Sequence, residues 1–234
     1  NPMVKKLLFL LAFLSLYSHA LDRMWDARFT LGPEIRTYDK MGFGIGLRTG
    51  FHSDVNFPVN FQARLNNEIE IGGKLFLESP NSLEHIIGNI DLGAKYNLSY
   101  NSYVGIDTYF ALNRNYGGGL IFTYSQQTHV ARRFSNLYEI RVGFLDGITG
   151  SDGYMKLQVG FMPTLHIGKT FLAMVEMNSS GSIGNIQDDF MIDLLPKLEL
   201  RIANVRLRLE VDIGILLEKN NSQKQIALYT LIAL

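Results

Sequence analysis

The side chains best suited to chemistry in this sequence are its five histidines, because an imidazole can serve as a general base or a metal ligand near neutral pH. They are dispersed, and no HExxH, GxSxG or Walker pattern surrounds any of them. His52, Ser53 and Asp54 supply the residue types of a hydrolase triad, yet three consecutive side chains cannot converge as base, nucleophile and orienting acid. We therefore expect a turn at 52–54, a solvated His166, and neither catalytic residues nor a metal or cofactor site.

A series of glycines is the other feature that could bind a ligand, because glycine-rich loops cradle phosphate groups. Gly42, Gly44, Gly46 and Gly50 depart from the GxGxxG spacing, and the first three alternate with apolar residues instead of preceding a helix. Small residues on the polar face of a strand relieve crowding or let the strand bend. The pattern therefore predicts a strand over 41–51 and no phosphate site.

A two-residue period identifies the elements that must position any functional side chain. In 205–217 every odd position is apolar, while Arg206, Arg208, Glu210 and Asp212 occupy even positions. A β-strand is the only regular structure with this period. The same alternation of apolar with polar or charged residues recurs in 41–51, 86–98, 104–112, 138–144, 155–167 and 190–202. The sequence therefore predicts an all-β fold.

The N-terminus carries the pattern of a secretory signal peptide. Lys5 and Lys6 precede an uncharged apolar run over 7–16, and a small-residue cleavage pattern ends at Ala20. A run of about ten apolar residues is too short to cross a bilayer as a helix, which needs about twenty. We expect cleavage after Ala20, and the two residues ahead of Met3 are expected to be a remnant that precedes the initiator.

Composition limits the classes of function. Without residues 1–20, Lys and Arg fall by two against 22 acidic residues, which leaves a net charge of about −2 and no basic excess for nucleic acid. The absence of cysteine excludes disulfides and thiolate metal or redox sites. No linker, low-complexity tract or internal repeat divides the rest of the chain. We therefore expect a single domain over 21–234, after a signal peptide over 1–20.

The connections between strands alternate in length. A two-residue hairpin pairs residues i and i+3, which then share a face. Ile202 and Val205 fit this rule, and so do Ile167 and Thr170. The segment 128–135 is an exception, because it falls where a short turn is expected but is long. Longer polar connections rich in Gly, Asn and Ser lie at 79–85, 113–119, 147–153, 179–188 and 218–223.

One segment allows two strand assignments. Asn66-Asn67 has the residues of a turn, but apolar residues keep the same phase through it, and a two-residue hairpin would reverse that phase. We therefore favour one long strand over 57–78, with 27–37 as the first strand. The alternative splits 57–78 into two strands and leaves 27–37 as a tail. Both assignments give about twelve strands, within a range of about ten to fourteen, and both place the two chain ends on the same side.

The signal peptide, the strand over 205–217 and the alternating connections together resemble the bacterial outer-membrane β-barrel superfamily, over about residues 25–234. The resemblance concerns the overall pattern of strands and connections, not a specific motif. The sequence differs from many such barrels at Leu234, where they end in an aromatic residue. The chain therefore either stops short or carries a different terminal signal. The resemblance implies a closed antiparallel up-and-down transmembrane β-barrel in the bacterial outer membrane, with outer-membrane lipid and the barrel-assembly machinery as partners. A soluble periplasmic β protein is the alternative, because soluble antiparallel sheets also alternate.

In such a barrel the charged face would line the lumen. About twelve strands lie between the eight that fill their own interior and the sixteen or more that leave a wide channel, so we expect a narrow pore. The leading hypothesis is porin-like passage of small polar or charged solutes. The alternatives are a membrane-embedded lipid hydrolase, marked by a Ser/His pair at the outer rim, and a structural or adhesion barrel acting through 128–135 and 179–188. The predicted lumen-lining residues are Arg48, Arg64, Glu70, Lys95, Glu139, Arg141, Glu199, Arg201, Arg206, Arg208, Glu210 and Asp212.

Overall fold

The structure, a computed structural model, describes residues 41–50, 55–78, 87–111, 117–145, 154–183, 190–202, 205–216 and 221–233. The signal peptide at 1–20, the strand at 27–37 and the turn at 52–54 fall outside the described residues and stay predictions. Among the described residues, no helix has the length and apolar character needed to cross a membrane.

All regular elements of the described chain are strands, and there are twelve of them. All are ten to fifteen residues long, which is about the length of a tilted strand that crosses a bilayer or somewhat more. The strands are β1 Met41–Gly50, β2 Val55–Arg64, β3 Ile69–Glu78, β4 Ile87–Asn97, β5 Ser102–Ala111, β6 Gly117–Ala131, β7 Phe134–Leu145, β8 Tyr154–Ile167, β9 Phe171–Ser182, β10 Met191–Ile202, β11 Val205–Leu216 and β12 Asn221–Ala233.

Each strand pairs antiparallel with its neighbours in sequence, so the chain runs up and down through one sheet. This order confirms the predicted all-β antiparallel architecture. β1 also pairs with β12, with Gly42 opposite Ala233 and Gly50 opposite Gln225. The pairing closes the sheet into a barrel.

Burial alternates along the strands in the reverse of the order found in a soluble sheet. In β10 the apolar side chains of Ile192, Leu194 and Leu198 are exposed, and the charged side chains of Asp193 and Lys197 between them are buried. We call the face toward the barrel centre the inner face and the opposite one the outer face. Charged side chains therefore gather on the inner face, and large apolar side chains cover the outer face.

The two ends of the barrel differ in their connections. The short connections after β2, β4, β6, β8 and β10 meet at one end, which we call the turn end. The connections after the odd-numbered strands meet at the opposite end, the loop end, and most of their residues lie outside the described part of the chain. The start of β1 and the end of β12 both lie at the turn end.

The segment 57–78 is divided between β2 and β3, so the favoured single strand is wrong and the alternative split of this segment is confirmed. The Oδ1 of Asn66 accepts hydrogen bonds from the backbone N–H groups of Glu68 and Ile69, each at 2.8 Å. The N–H of Leu65 donates to the carbonyl of Ile69 at 2.9 Å, which leaves a three-residue connection. Since residues i and i+4 have the same parity, the apolar phase continues through such a turn.

The turn between β8 and β9 is one residue longer than predicted. Ile167 pairs with Phe171 and not with Thr170, because Gly168 adopts a positive φ of 67° that glycine reaches at little cost. The extra residue reverses the phase of β9, so that Leu172 lies on the inner face. By contrast, the predicted pairing of Ile202 with Val205, between β10 and β11, is confirmed.

The long connection predicted over 128–135 is also wrong. β6 continues to Ala131 and β7 begins at Phe134, so Arg132 and Arg133 alone form the turn. The pairing register shifts between His129 and Ala131. This bulge adds one residue to β6 and interrupts the alternation there, which explains why the end of the strand has the sequence pattern of a loop.

Candidate functional site on the inner face

The predicted lumen residues lie on the inner face wherever their side chains are described. Six of them are buried: Glu70, Lys95, Glu139, Arg141, Glu199 and Arg208. Three others near the turn end are half-buried: Arg64, Arg201 and Arg206. The backbones of three more belong to β1 and β11, but their side chains lie outside the described ones: Arg48, Glu210 and Asp212.

A cluster around Glu70 joins β2, β3 and β4. Glu70 faces Lys95 across the β3–β4 pair, and the Lys95 ammonium lies 2.8 Å from Glu70 Oε2. Gln62 and Asn97 donate hydrogen bonds to the same carboxylate, at 2.9 Å and 3.1 Å. Lys95 also lies 5.0 Å from the centre of the Tyr103 ring, in the range of a cation–π contact. The alternation in the sequence predicts that Glu70 and Lys95 share a face, and the strand register places them opposite each other.

A second cluster lies on β5 and β7. Arg141 Nε is 2.8 Å from Glu139 Oε1, and the Tyr103 hydroxyl donates to Glu139 Oε2 at 3.2 Å. Tyr103 therefore contacts Lys95 through its ring and Glu139 through its hydroxyl. The two clusters form one polar network along this side of the inner face.

The Glu199 cluster lies on β10 and β11 near the turn end. Glu199 is fully buried and faces Arg208 across the strand pair. Arg208 Nε donates to Glu199 Oε2 at 2.9 Å, and its Nη2 contacts the same oxygen. Arg201 Nε lies 2.7 Å from the other carboxylate oxygen. One carboxylate thus holds two guanidinium groups, and removing it would take a shared anionic partner away from both.

An ion pair between β9 and β10 involves residues outside the predicted set. Lys197 Nζ is 2.7 Å from Glu176 Oε2, and Asn178 Nδ2 donates to Glu176 Oε1 at 2.5 Å. The prediction missed Glu176 because the assumed two-residue turn before β9 assigned it to the apolar face. The alternation of Phe171, Ala173, Val175 and Met177 was the signal that could have found it.

The inner face also carries an apolar cluster that the sequence reading did not predict. All of its members are nearly fully buried, and they belong to β5, β7, β8 and β9 on the side next to the Glu199 cluster. The alternation in the sequence was sufficient to place apolar residues at inner positions of β7 and β8. It was not sufficient for β9, because the assumed two-residue turn before this strand assigned its residues to the wrong faces. The cluster consists of Tyr103, Leu137, Met162, Leu172 and Met174.

No family model and no curated protein matches the sequence, but solved structures match the fold. The KdgM porin in complex with disordered oligogalacturonate has a TM-score of 0.61 at 10% identity, over 82% of this chain and 99% of that one. An outer membrane channel from Pseudomonas putida F1 has a TM-score of 0.61 at 9% identity, over 88% and 99% of the two chains. The NanC porin has a TM-score of 0.59 at 14% identity, over 83% and 100%.

This chain has the fold of the bacterial outer-membrane β-barrel proteins. The three solved structures are an outer-membrane channel and two porins by name. The alignment with this chain covers nearly the whole of each of the three solved structures, so the similarity extends over their entire barrels.

Among the described residues, a serine and a histidine are in contact, as the lipid-hydrolase hypothesis would require. Ser135 Oγ lies 3.3 Å from His166 Nε2, so His166 has a protein partner where a solvated residue was expected. The pair lies on the inner face at the turn end, and Ser135 is only 1% exposed. The hydrolase hypothesis requires such a pair at the outer rim. No group of three or more metal-ligating side chains is present among the described residues.

The loops invoked for adhesion are shorter than predicted. Residues 128–131 belong to β6, residues 134–135 to β7, and residues 179–182 to β9. The glycines of 41–50 lie in β1, as predicted for a strand, with Gly44 and Gly46 on the buried face.

Proposed function

We propose that this chain spans the bacterial outer membrane as a closed β-barrel and lets small polar or charged solutes cross through a narrow ionic lumen. The observation that carries the proposal is the reversed distribution of side chains, with ion pairs on the inner face and large apolar groups exposed on the outer face. Lipid outside and water inside are the solvents that suit those two faces.

The outer face supports the membrane placement. Phe43, Phe61, Phe110, Phe144 and Leu198, from five different strands, are each more than two-fifths exposed, and they are a sample of a much larger set. Soluble monomers rarely expose a contiguous apolar patch larger than a few hundred Å². A closed barrel also satisfies its backbone hydrogen bonds internally, as the hydrocarbon layer demands. A soluble periplasmic protein would leave this surface in water.

The two ends of the barrel support an orientation. Barrels of the bacterial outer membrane have short turns on the periplasmic side and longer loops outside. The turn end, with both termini of the described barrel, then faces the periplasm.

The inner face supports a narrow passage for polar solutes. Its charges are of both signs and lie in clusters, so a passing solute meets alternating cations and anions. The apolar cluster and the Glu199 cluster occupy neighbouring strands near the turn end, and both reduce the open cross-section there. We place the constriction of the lumen at this level.

Single-channel recording of the purified, folded protein in planar bilayers tests the proposal. We expect discrete openings of small conductance in KCl. Liposome swelling with amino acids, neutral sugars and a uronic acid would then rank solutes, since one similar structure holds an oligogalacturonate. A folded barrel that never conducts would refute passage, and a protein found in the soluble periplasmic fraction without a heat-dependent gel shift would refute the membrane placement.

A further inference from the structure

The turn end carries a concentration of exposed positive charge on one side. Arg132 and Arg133 form the β6–β7 turn, and Lys169 lies in the β8–β9 turn; all three are exposed. We call these three residues the basic arc. In the described part of the chain, none of them forms an ion pair. No described residue therefore neutralises these charges.

Backbone hydrogen bonds hold the arc in place. The N–H of His166 donates to the carbonyl of Arg133 at 2.8 Å, which ties the β6–β7 turn to the end of β8. The N–H of Arg201 donates to the carbonyl of Thr170 at 2.7 Å, which ties the next turn to β10. The three cations therefore belong to two neighbouring turns at the same end of the barrel.

Acidic side chains are scarce around the arc. Glu68 is the acidic residue in the described turns of the turn end, and it lies in the β2–β3 turn. That turn is separated from the β6–β7 turn by the whole β4–β5 hairpin. Glu68 accepts a hydrogen bond from the Tyr96 hydroxyl at 3.1 Å. Within the described turns, the positive potential of the arc is therefore opposed only from a distance.

The arc begins where the apolar surface stops. Val130 is 64% exposed and Phe134 is 36% exposed on the two sides of Arg132 and Arg133. Ile167 is 50% exposed directly before the turn that contains Lys169. Cations at the border of a lipid-facing apolar surface extend to the level of the headgroups, where they attract anionic lipid. A binding site for a soluble solute would not require an exposed apolar surface beside its cations, so this border favours a lipid.

We propose that the basic arc binds the phosphate groups of anionic phospholipids in the leaflet that faces the turn end. The inference rests on the proposed membrane placement and is independent of whether the lumen conducts. Each exposed cation contributes a contact of the kind that lysine and arginine make with phosphate oxygens.

Spin-labelled phosphatidylglycerol and phosphatidylcholine, compared on the barrel reconstituted in phosphatidylcholine bilayers, test the proposal. We expect the wild-type barrel to hold phosphatidylglycerol in preference to phosphatidylcholine. Each cation removed from the arc should weaken that preference by up to about fivefold, so the variant R132Q/R133Q/K169Q should lose most of it. Glu68→Gln is the matched control, because it changes an exposed charge at the same end and should keep or raise the preference.

The outcomes separate the two proposals. If the barrel enters bilayers but the triple variant keeps the wild-type preference, the lipid site is refuted and the membrane placement stands. If neither protein associates with bilayers, the membrane placement itself fails. If soluble glycerophosphate displaces the labelled phosphatidylglycerol at low concentration, the arc binds a soluble phosphate and the lipid assignment is refuted. Loss of the preference in 1 M salt is expected, because salt screens exposed charges.

Discussion

Two neighbouring regions of the inner face are equally buried and are stabilised in different ways. Leu172 of β9 lies opposite Glu199 of β10 in the sheet register, and their exposures are 2% and 0%. Leu172 belongs to the apolar cluster, which is held by non-directional packing. Glu199 holds Arg201 and Arg208 through directional, charge-assisted hydrogen bonds.

The difference concerns what is left behind when one member is removed. Truncating an apolar side chain leaves a void whose cost depends on how well the surroundings collapse or fill. Removing one charge from a buried pair leaves the partner charge without compensation, which costs more. In a lumen, a void left by a truncated side chain also widens the space through which solutes pass. The ionic region should therefore control stability, and the apolar region should control passage.

The largest effect is expected for Glu199→Gln, which leaves the two arginines without their shared carboxylate. We expect the free energy of unfolding to fall by about 3–5 kcal/mol, the usual cost of breaking a buried pair. Denaturant titrations in vesicles, read by the gel shift of unboiled protein, would measure it. Glu68→Gln, in an exposed turn, should change stability by no more than about 0.5 kcal/mol. Equal losses of stability in the two variants would contradict the idea that the buried ionic cluster controls stability.

A smaller loss of stability and a larger change in passage are expected for Leu172→Ala. Water from the lumen can fill the void, so we expect a loss near the lower end of the range for such truncations, about 2 kcal/mol. The single-channel conductance should rise because the constriction widens. Leu165→Ala is the control, because Leu165 has the same size but lies on the outer face. The idea fails if both variants conduct as the wild type does.

The smallest effect is expected for Tyr103→Phe, which tests a residue that belongs to the apolar cluster and also contacts the ionic groups of Lys95 and Glu139. The variant loses the hydrogen bond from the hydroxyl to Glu139 but keeps the ring beside Lys95. We expect a loss of about 1 kcal/mol, typical of one hydrogen bond. Tyr138→Phe, on the outer face, should be close to neutral. A loss as large as that of Glu199→Gln would mean that Tyr103 organises the ionic network and does more than fill space.

The sequence was sufficient for the parts of the fold that depend on a local period. Alternation over 205–217 predicts β11 and places Arg208 on the charged face, because side chains of a strand change sides at every residue. The prediction that Ile202 and Val205 pair is also local, since a two-residue hairpin relates residues three apart. From these facts the facing of Glu199 and Arg208 follows without coordinates.

The sequence was not sufficient where turn length decides the phase. The positive φ of Gly168 makes a three-residue turn, and this one residue moves Leu172 and Glu176 from the predicted outer face to the inner face. Near Asn66 a three-residue turn leaves the apolar residues of β2 and β3 in the same phase. The sequence of these two strands and their turn therefore has the pattern of one continuous strand. The choice between such turns depends on backbone hydrogen bonds and strand twist, which composition does not report.

The seam between β1 and β12 sets an order of assembly. Every other pairing joins strands that are consecutive in sequence, so each can form once its own hairpin is present. The seam joins segments from opposite ends of the described chain and is the contact with the greatest loop-closure cost. Until the last strand arrives, β1 and the newest strand are both open edges that could capture a foreign strand. In this topology two strand edges therefore stay open until β1 and β12 pair.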